Sequence, residues 1–506
     1  MTLTGMAIRK VLLIQPPAFT NRAKDDYHPY PPLGLAYVAA YLEKQNIEVR
    51  IIDAFVEGWD REEVVRADRL RVGLSFDEIE RRVREFQPDL VGVSSMFTVQ
   101  SRNAHAVYEL VKRVDPRIIT VAGGNHATAT AAESLQDRNL DYVVLGEGEV
   151  VLADLIRVLE AGGPVADTKA LAYRDGDRTV VSPDRNFIDD LDELPFPARH
   201  LLPMDKYIKA GLSHGGYLRR GRYTPVLTSR GCPAKCTFCS ISIVSGRKYR
   251  FRSPQNVVEE LQQVIRDYGI EEVLFEDDNL TLNIPRAEKL FDAMIEANLN
   301  LVWNTPNGVA AFALTPLLID KMKAAGCYRI NLAIESGNED VLRNVIKKPL
   351  KLERVPPLVH HARKVGIEVG AFLVVGMPGE TLDQVRDSFR FVKNLEIFTP
   401  HVSIATPYPG TEMYELCVEK GYLLPGFSYD NFSIQYANIQ TPDWTPQELQ
   451  AVFEREQFLL RLHRYVRSPR ILFAAATESF RRDPRHFVGK LLTRIGMMLR
   501  ASLAKR

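Results

Sequence analysis

Three of the five cysteines fall within eight residues, as Cys232, Cys236 and Cys239 in the run SRGCPAKCTFCS. The spacing C-x3-C-x2-C can wrap three thiolates around one metal centre, and Gly231 and Pro233 permit the tight turning this needs. Three thiolates on a cubane iron–sulfur cluster leave one iron without a protein ligand, open to a substrate or cofactor. Zinc is a second reading, but it needs a fourth ligand, and the nearest histidine, His214, lies eighteen residues upstream. Chance clustering is the third. Cys327 and Cys417 stand alone in apolar surroundings and read as buried structural thiols.

Such a loop needs a strand end to hang from. Over the first 160 residues, strand-like runs (Val11–Gln15, Val49–Ile52, Leu90–Val93, Ile118–Val121, Tyr142–Leu145) alternate with helix-like stretches (Leu33–Gln45, Phe76–Phe86, Arg102–Val114, Ala129–Gln136, Val150–Glu160). The strand runs are apolar on both faces, as a parallel sheet covered by helices requires. Five such units predict a doubly wound α/β domain, with ligands beyond the carboxyl ends of its strands. Three loops at those ends are unusual: VGVSSMFTVQ (91–100), AGGNHAT (122–128) and LGEGE (145–149). A hairpin with Asp-Gly at its turn (170–181) and a proline-bearing connector follow, read as a structured linker. From residue 226 alternation resumes, and six units over about 180 residues predict a partial (β/α) barrel open on one side. The cysteine loop follows its first strand.

The 506 residues suffice for three domains. At 45% hydrophobic and 25% charged, the composition excludes disorder, collagen and coiled coil. The longest uncharged stretch, Ala297 to Ile319, holds two prolines, four asparagines and a glycine, so no run predicts a membrane span. The first residues do not read as a signal peptide. With 65 basic and 64 acidic residues the total charge names no partner, and so few, clustered cysteines point to a reducing cytoplasm. The distribution of charge is uneven. From Arg461 to Arg506 twelve basic residues face two acids, about +10, leaving the rest of the chain near −9.

The run from Cys232 to Cys239, with Phe238 before the last cysteine, resembles the signature of radical S-adenosylmethionine (SAM) enzymes. The phrases LFEDDNLTL (274–282), INLAIESGNEDVLR (330–343), FLVVGMPGET (372–381) and TPYPGT (406–411) continue that resemblance downstream. PPLGLAYVAAYLE (31–43), PDLVGVSS (88–95), VAGGNHAT (121–128) and VVLGEGE (143–149) resemble the cobalamin-binding domain that precedes the barrel in one large subgroup. Together they cover roughly residues 9–411. The resemblance implies a Rossmann-like cobalamin-binding domain over 1–162, a linker with a β-hairpin over 163–224, a radical SAM partial (β/α)6 barrel over 225–411, and a mostly helical C-terminal region with a basic tail over 412–506.

The same resemblance implies a [4Fe-4S] cluster on Cys232, Cys236 and Cys239, with SAM chelating the open iron. Phe238 would lie near the adenine through its backbone. Glu335 and Ser336 would face the SAM ribose or carboxylate, and Gly376 would let backbone approach the adenosyl group. Glu276, Asp277 and Asp278 stand where the family meets the SAM amino group, with a solvated acidic loop as the other reading. Gly123 and Gly124 would leave room for the cobalamin nucleotide tail, Ser94 and Ser95 would hydrogen-bond it, and Gly146, Glu147 and Gly148 would line its far side. The D-x-H-x-x-G motif of classical cobalamin enzymes is absent, replaced by QPPAFTNR after the first strand. His126 therefore reads as a packing or tail contact, and the lower face of cobalt would meet water or side chains such as Pro32 and Leu33. Where relatives carry an arginine after the third barrel strand, this chain has Asn307. Asn304 and Asn307 are read as substrate contacts or as a simple turn.

The implied activity is C-methyl transfer to an unactivated carbon, one SAM supplying the methyl group and a second the radical. An oxidative cyclase, as in the anaerobic magnesium-protoporphyrin ester cyclase, is the alternative, and a non-catalytic cobalamin sensor a third reading. The implied partners are a small-molecule or lipid-like substrate and an electron donor such as flavodoxin or ferredoxin. Between Phe487 and Leu503 apolar residues recur at helical spacing beside Lys490, Arg494 and Arg500. Such a helix lies on an anionic membrane surface or packs its apolar face on the barrel. Nucleic acid is not expected, because interleaved aromatic platforms are missing.

Overall fold

A computed structural model describes residues 7–21, 27–211 and 218–467. The basic amphipathic tail and His214 lie outside these residues.

The apolar runs of the first half become the centre of a seven-stranded sheet. β1 (Lys10–Gln15) lies between β2 (Glu48–Asp53) and β3 (Leu90–Ser94), and β4 (Ile119–Gly123) and β5 (Tyr142–Val144) continue it in parallel. Val11, Leu12, Leu13 and Ile14 are fully buried, since helices cover both faces. The hairpin assigned to the linker instead completes this sheet: β6 (Leu171–Asp175) pairs antiparallel with β5, and β7 (Arg178–Val181) with β6. Leu171 and Ala172 are buried there and prolong its apolar face. In place of one helix over 129–136, two short ones form, Asn125–Ala129 and Ala131–Ser134. Three further strands (Ala18–Asn21, Glu62–Arg66, Arg69–Val72) make a small antiparallel sheet that the sequence reading missed.

The second half is a six-stranded parallel sheet in chain order: β8 (Tyr223–Val226), β9 (Glu272–Phe275), β10 (Val302–Val309), β11 (Cys327–Glu335), β12 (Glu368–Val375) and β13 (Thr399–Ile404). β8 and β13 are its two edges, so the barrel is partial. β8 starts three residues earlier than expected and carries Pro225, which an edge strand tolerates. β10 runs through the predicted turn Thr-Pro-Asn-Gly, with register shifts that let Pro306 sit in an irregular stretch. After β13 come the helices Glu412–Glu419 and Pro446–Arg467. The stretch between them is irregular apart from one short turn, Tyr429–Asn431, and the two helices make up most of the described part of this region. The second helix packs on Leu382–Asn394, with Phe389 against Phe453.

Candidate active site

The cysteine loop leaves β8 and is braced by the three acids after β9, which point three different ways. Asp277 is buried and accepts from the Thr228 hydroxyl at 2.6 Å, the Thr228 amide at 3.2 Å and the Ser229 hydroxyl. Arg286 donates to the same threonine hydroxyl and to its carbonyl, each at 2.9 Å. Asp277 is thus committed to the loop's entry rather than to a ligand's amino group. Asp278 accepts from the Gly231 amide at 2.9 Å and lies beside Cys232 and Cys239; burial pushes its carboxyl up to about 6. Glu276 receives Asn307 Nδ2 on both its carboxylate (3.0 Å) and its carbonyl (2.9 Å), and it faces Tyr30. Gly231 has φ +85°, and a Cβ there would come within 2.4 Å of the Lys248 carbonyl. The far end is pinned by Thr237, which donates through its amide and hydroxyl to Ile346 and Val345 of the π-helical turn Val341–Ile346. Phe238 is half-buried against the barrel core.

Burial pushes the Cys236 thiol up to about 11 and Cys239 to about 12, so coordination to a cationic centre is what would hold them as thiolates. Among the described residues no three His, Cys, Asp or Glu side chains are grouped to hold a single ion. A structural zinc takes four protein ligands, whereas a cubane gives each of three cysteines its own iron and keeps the fourth iron open. Three half-buried thiols on one loop, with no fourth donor grouped beside them among the described residues, suit the cluster.

Beyond the cysteines, β11 ends on Glu335 in a left-handed conformation, φ +67°, unusual for a side-chain-bearing residue. Lys348 Nζ donates to its carboxylate at 2.9 Å; both groups are buried, and Lys348 lies beside Cys236. Two expectations for SAM change here. Ser336 is fully buried with its hydroxyl 3.1 Å from Ser388 Oγ and accepting from the Asn338 amide, so it belongs to the packing of helix Leu382–Asn394. At Gly376 a Cβ would meet Leu449 at 2.5 Å, so this glycine serves the approach of the C-terminal helix.

The N-terminal sheet offers its switch point between β1 and β3, where crossovers leave in opposite directions and ligands of such sheets sit. Tyr30 donates to Met96 Sδ there at 3.7 Å. Ser94 is half-buried, and Ser95 is fixed through its backbone to Gly123 and to the amides of His126 and Ala127. Nothing lies within 4 Å of where a Gly123 Cβ would project, whereas at Gly124 (φ +104°) a Cβ would meet the Ser95 carbonyl at 2.9 Å. That open cradle fits a bulky cofactor tail. His126 is buried, its Nδ1 without a partner and its ring edge-on to Tyr429; burial lowers its imidazole to about 4, keeping it neutral. Gly146 donates to the Thr128 hydroxyl, and Gly148 begins a helix.

Three expected ligand contacts are instead structural. Both Glu147 carboxylate oxygens are taken by Arg250 (2.7 and 2.9 Å) and the Ile188 amide (2.8 Å). Leu33, following Pro32 at the helix start, packs with Leu191 and Leu194. Asn304 is buried, donating to Tyr328 Oη at 2.6 Å, and Tyr328 donates to Glu272 at the beginning of β9, the end opposite the cysteines. Asn307, by contrast, is exposed near the β9 end.

Sequence reasoning missed the residues that join the halves. Arg230 Nη2 donates to Glu149 at 2.7 Å, and with the Arg250–Glu147 pair it clamps the cysteine loop to the N-terminal sheet. The segment after the barrel crosses to the helices and small antiparallel sheet of the N-terminal half: Tyr429 donates to Glu133, Asp430 pairs with Arg102, and Arg66 donates to Asn431. Only the position of Arg230, two residues before Cys232, could have hinted at the clamp.

Residues 23–156 match the B12 binding domain family, and 226–392 the Radical SAM superfamily. The chain is 36% identical to cytidylyl-2-hydroxyethylphosphonate methyltransferase of Streptomyces wedmorensis, covering 88% of this chain and 90% of that protein. It is 24% identical to anaerobic magnesium-protoporphyrin IX monomethyl ester cyclase of Rubrivivax gelatinosus, over 83% of this chain and 71% of the cyclase. Among solved structures, the radical SAM methyltransferase TsrM from Kitasatospora setae, with cobalamin and a [4Fe-4S] cluster bound, shares the fold at a TM-score of 0.66 and 20% identity, over 83% of this chain and 76% of that one.

Proposed function

The chain belongs to the cobalamin-binding radical SAM enzymes, working with a [4Fe-4S] cluster, SAM and cobalamin, and on that premise we propose that it transfers a methyl group to an unactivated carbon of a small molecule. The observation that carries this reading is the pair of arginine–glutamate bonds holding the cysteine loop against the N-terminal sheet, because methyl transfer needs both cofactors over one substrate. When bound, the cluster supplies the electron, SAM the methyl group and the hydrogen-abstracting radical, and cobalamin the methyl carrier. Cys232, Cys236 and Cys239 would hold three irons, and Asp278 fixes the loop's first turn through the Gly231 amide. Lys348, oriented by Glu335, would offer a buried cation to the SAM carboxylate, and the Phe238 backbone would lie beside the adenine. Gly123 would leave room for the cobalamin tail and Gly124 would let the Ser95 loop close beside it; Ser94, Ser95 and Gly146 would border the tail, and neutral His126 would contact it. Glu276 and Asn307 meet the substrate near Tyr30, and the crossing segment around Tyr429 keeps water out.

The end-to-end similarity makes cytidylyl-2-hydroxyethylphosphonate the first acceptor to try. Reconstituted protein with SAM labelled as CD3 would add that label to the acceptor's carbon; an acceptor recovered unlabelled would turn the search to other small molecules. We assign the reductant to a flavodoxin or ferredoxin and the enzyme to the cytoplasm. Among the described residues no helix is long and apolar enough to cross a membrane; peripheral contact through the basic tail would suit a lipid-like acceptor and is tested by vesicle co-sedimentation.

A further inference from the structure

The cysteine loop is sealed on three sides. The Arg230 and Arg250 pairs bind it to the N-terminal sheet, Asp278 closes it from β9, and the π-helical turn holds Thr237. Its fourth side is solvent, where Pro233 and Lys235 are exposed and Ala234 and Cys236 half-buried. Three exposed cations stand around that edge. Lys235 is on the loop itself, Arg247 donates to the Ala234 carbonyl at 2.7 Å close to Cys232, and Arg343 is on the π-helical turn. None of the three is paired with a carboxylate among the described residues. Two further exposed cations, Lys347 and Lys248, each face one acid, Glu412 and Asp189. Lys235, Arg247 and Arg343 are thus left without a facing carboxylate; Glu339 and Asp340, which precede Arg343, are bonded instead to Leu352, Asn344 and Gln384.

A short exposed path to a buried redox centre is where an electron must enter, and a cationic rim around it steers an anionic partner there. We propose that this rim, centred on Lys235, Arg247 and Arg343, is the docking face for an acidic one-electron donor protein of the flavodoxin or ferredoxin kind. The inference rests on the radical SAM reading of the loop. One electron leaves the donor's reduced flavin or iron–sulfur centre and one enters the cluster, taking it from its 2+ to its 1+ state; no bond is made or broken at the rim, and no proton moves. Opposite charges attract across a Debye length of about 8–10 Å at ordinary ionic strength, so docking is fast at low salt and slower at high salt.

The test is anaerobic stopped-flow bleaching of the reconstituted cluster in wild type and in the double variant Lys235→Glu/Arg343→Glu. Neither side chain makes a hydrogen bond or ion pair among the described residues, so the fold is not expected to suffer. With reduced flavodoxin at low salt the variant should react about tenfold more slowly, and wild type should lose its advantage at high salt. With reduced methyl viologen, a small cation, the variant should not be slowed. Equal rates with flavodoxin would overturn the docking face, as would slowing with both reductants, which would place the effect on the cluster itself. Lys235→Gln/Arg343→Gln should fall between the two and guards against a folding defect of the reversed charges. A wild-type protein that takes up no iron and sulfide would refute the radical SAM reading and the docking face with it.

Discussion

Asp53 and Glu380 are carboxyl groups with almost no contact with water, and burial pushes each up to about 7. Their ordinary values are 3.8 and 4.5, so between about pH 4 and 7 the folded chain keeps protons that the unfolded chain has already released. Stability should therefore fall as pH rises through that window and level off above it. For Glu380 the loss is about 3 kcal/mol. Glu380→Gln keeps an acceptor for the Gly376 and Met377 amides but cannot ionise. Its melting temperature should decline less steeply from pH 5 to 8 than that of wild type, and parallel declines would refute the assignment. At the cysteines, Cys236→Ala should abolish the cluster's visible absorption and reductive SAM cleavage while leaving the melting curve nearly unchanged. These residues show what sequence makes visible. The cysteine spacing is a local signal and was legible. Of the acidic run, only the structure separates Asp277, bound to Thr228, from Asp278 beside the thiols, because direction depends on strand pairing distant in sequence.

At the scale of elements, hydrophobic periodicity located the strands of the two large sheets and most of the long helices but not the small antiparallel sheet, and two of the misplaced boundaries have definite causes. Pro225 hid the start of β8, since proline argues against a strand unless the strand is an edge, which is a property of the sheet. The Thr-Pro-Asn-Gly run hid the continuation of β10, which survives through register shifts. Gly124 and Gly376 read alike as ligand cradles, yet the first abuts the Ser95 loop and the second the helix carrying Leu449. Each is tested by alanine. Gly124→Ala should push the Ser95–Met96 loop and lower cobalamin retention after gel filtration. Gly376→Ala should lower the melting temperature, by roughly 1–2 kcal/mol of stability from positive φ alone, with cobalamin retention unchanged. Equal cobalamin loss in both would contradict the separation of their roles.

For the whole molecule, the order of two cofactor domains was legible from motifs that lie close together in the chain. Their junction was not, because Arg230 to Glu149 and Arg250 to Glu147 span 81 and 103 positions. Both arginine side chains are largely buried, so removing one partner leaves an uncompensated charge. Glu147→Ala should cost about 3 kcal/mol, and the same change in an Arg250→Met background much less. Additive losses in that cycle would mean the pair does not couple the two halves.

The central claim is that cobalamin and the radical SAM cluster act together in one methyl transfer. Its most direct test is mass spectrometry of anaerobic incubations of the reconstituted protein with hydroxocobalamin, SAM and a strong reductant, beside Cys236→Ala. Wild type should form both S-adenosylhomocysteine and 5′-deoxyadenosine, and the variant no 5′-deoxyadenosine. Deoxyadenosine alone would favour the cyclase reading, and neither product from protein shown to carry cluster and cobalamin would contradict the account.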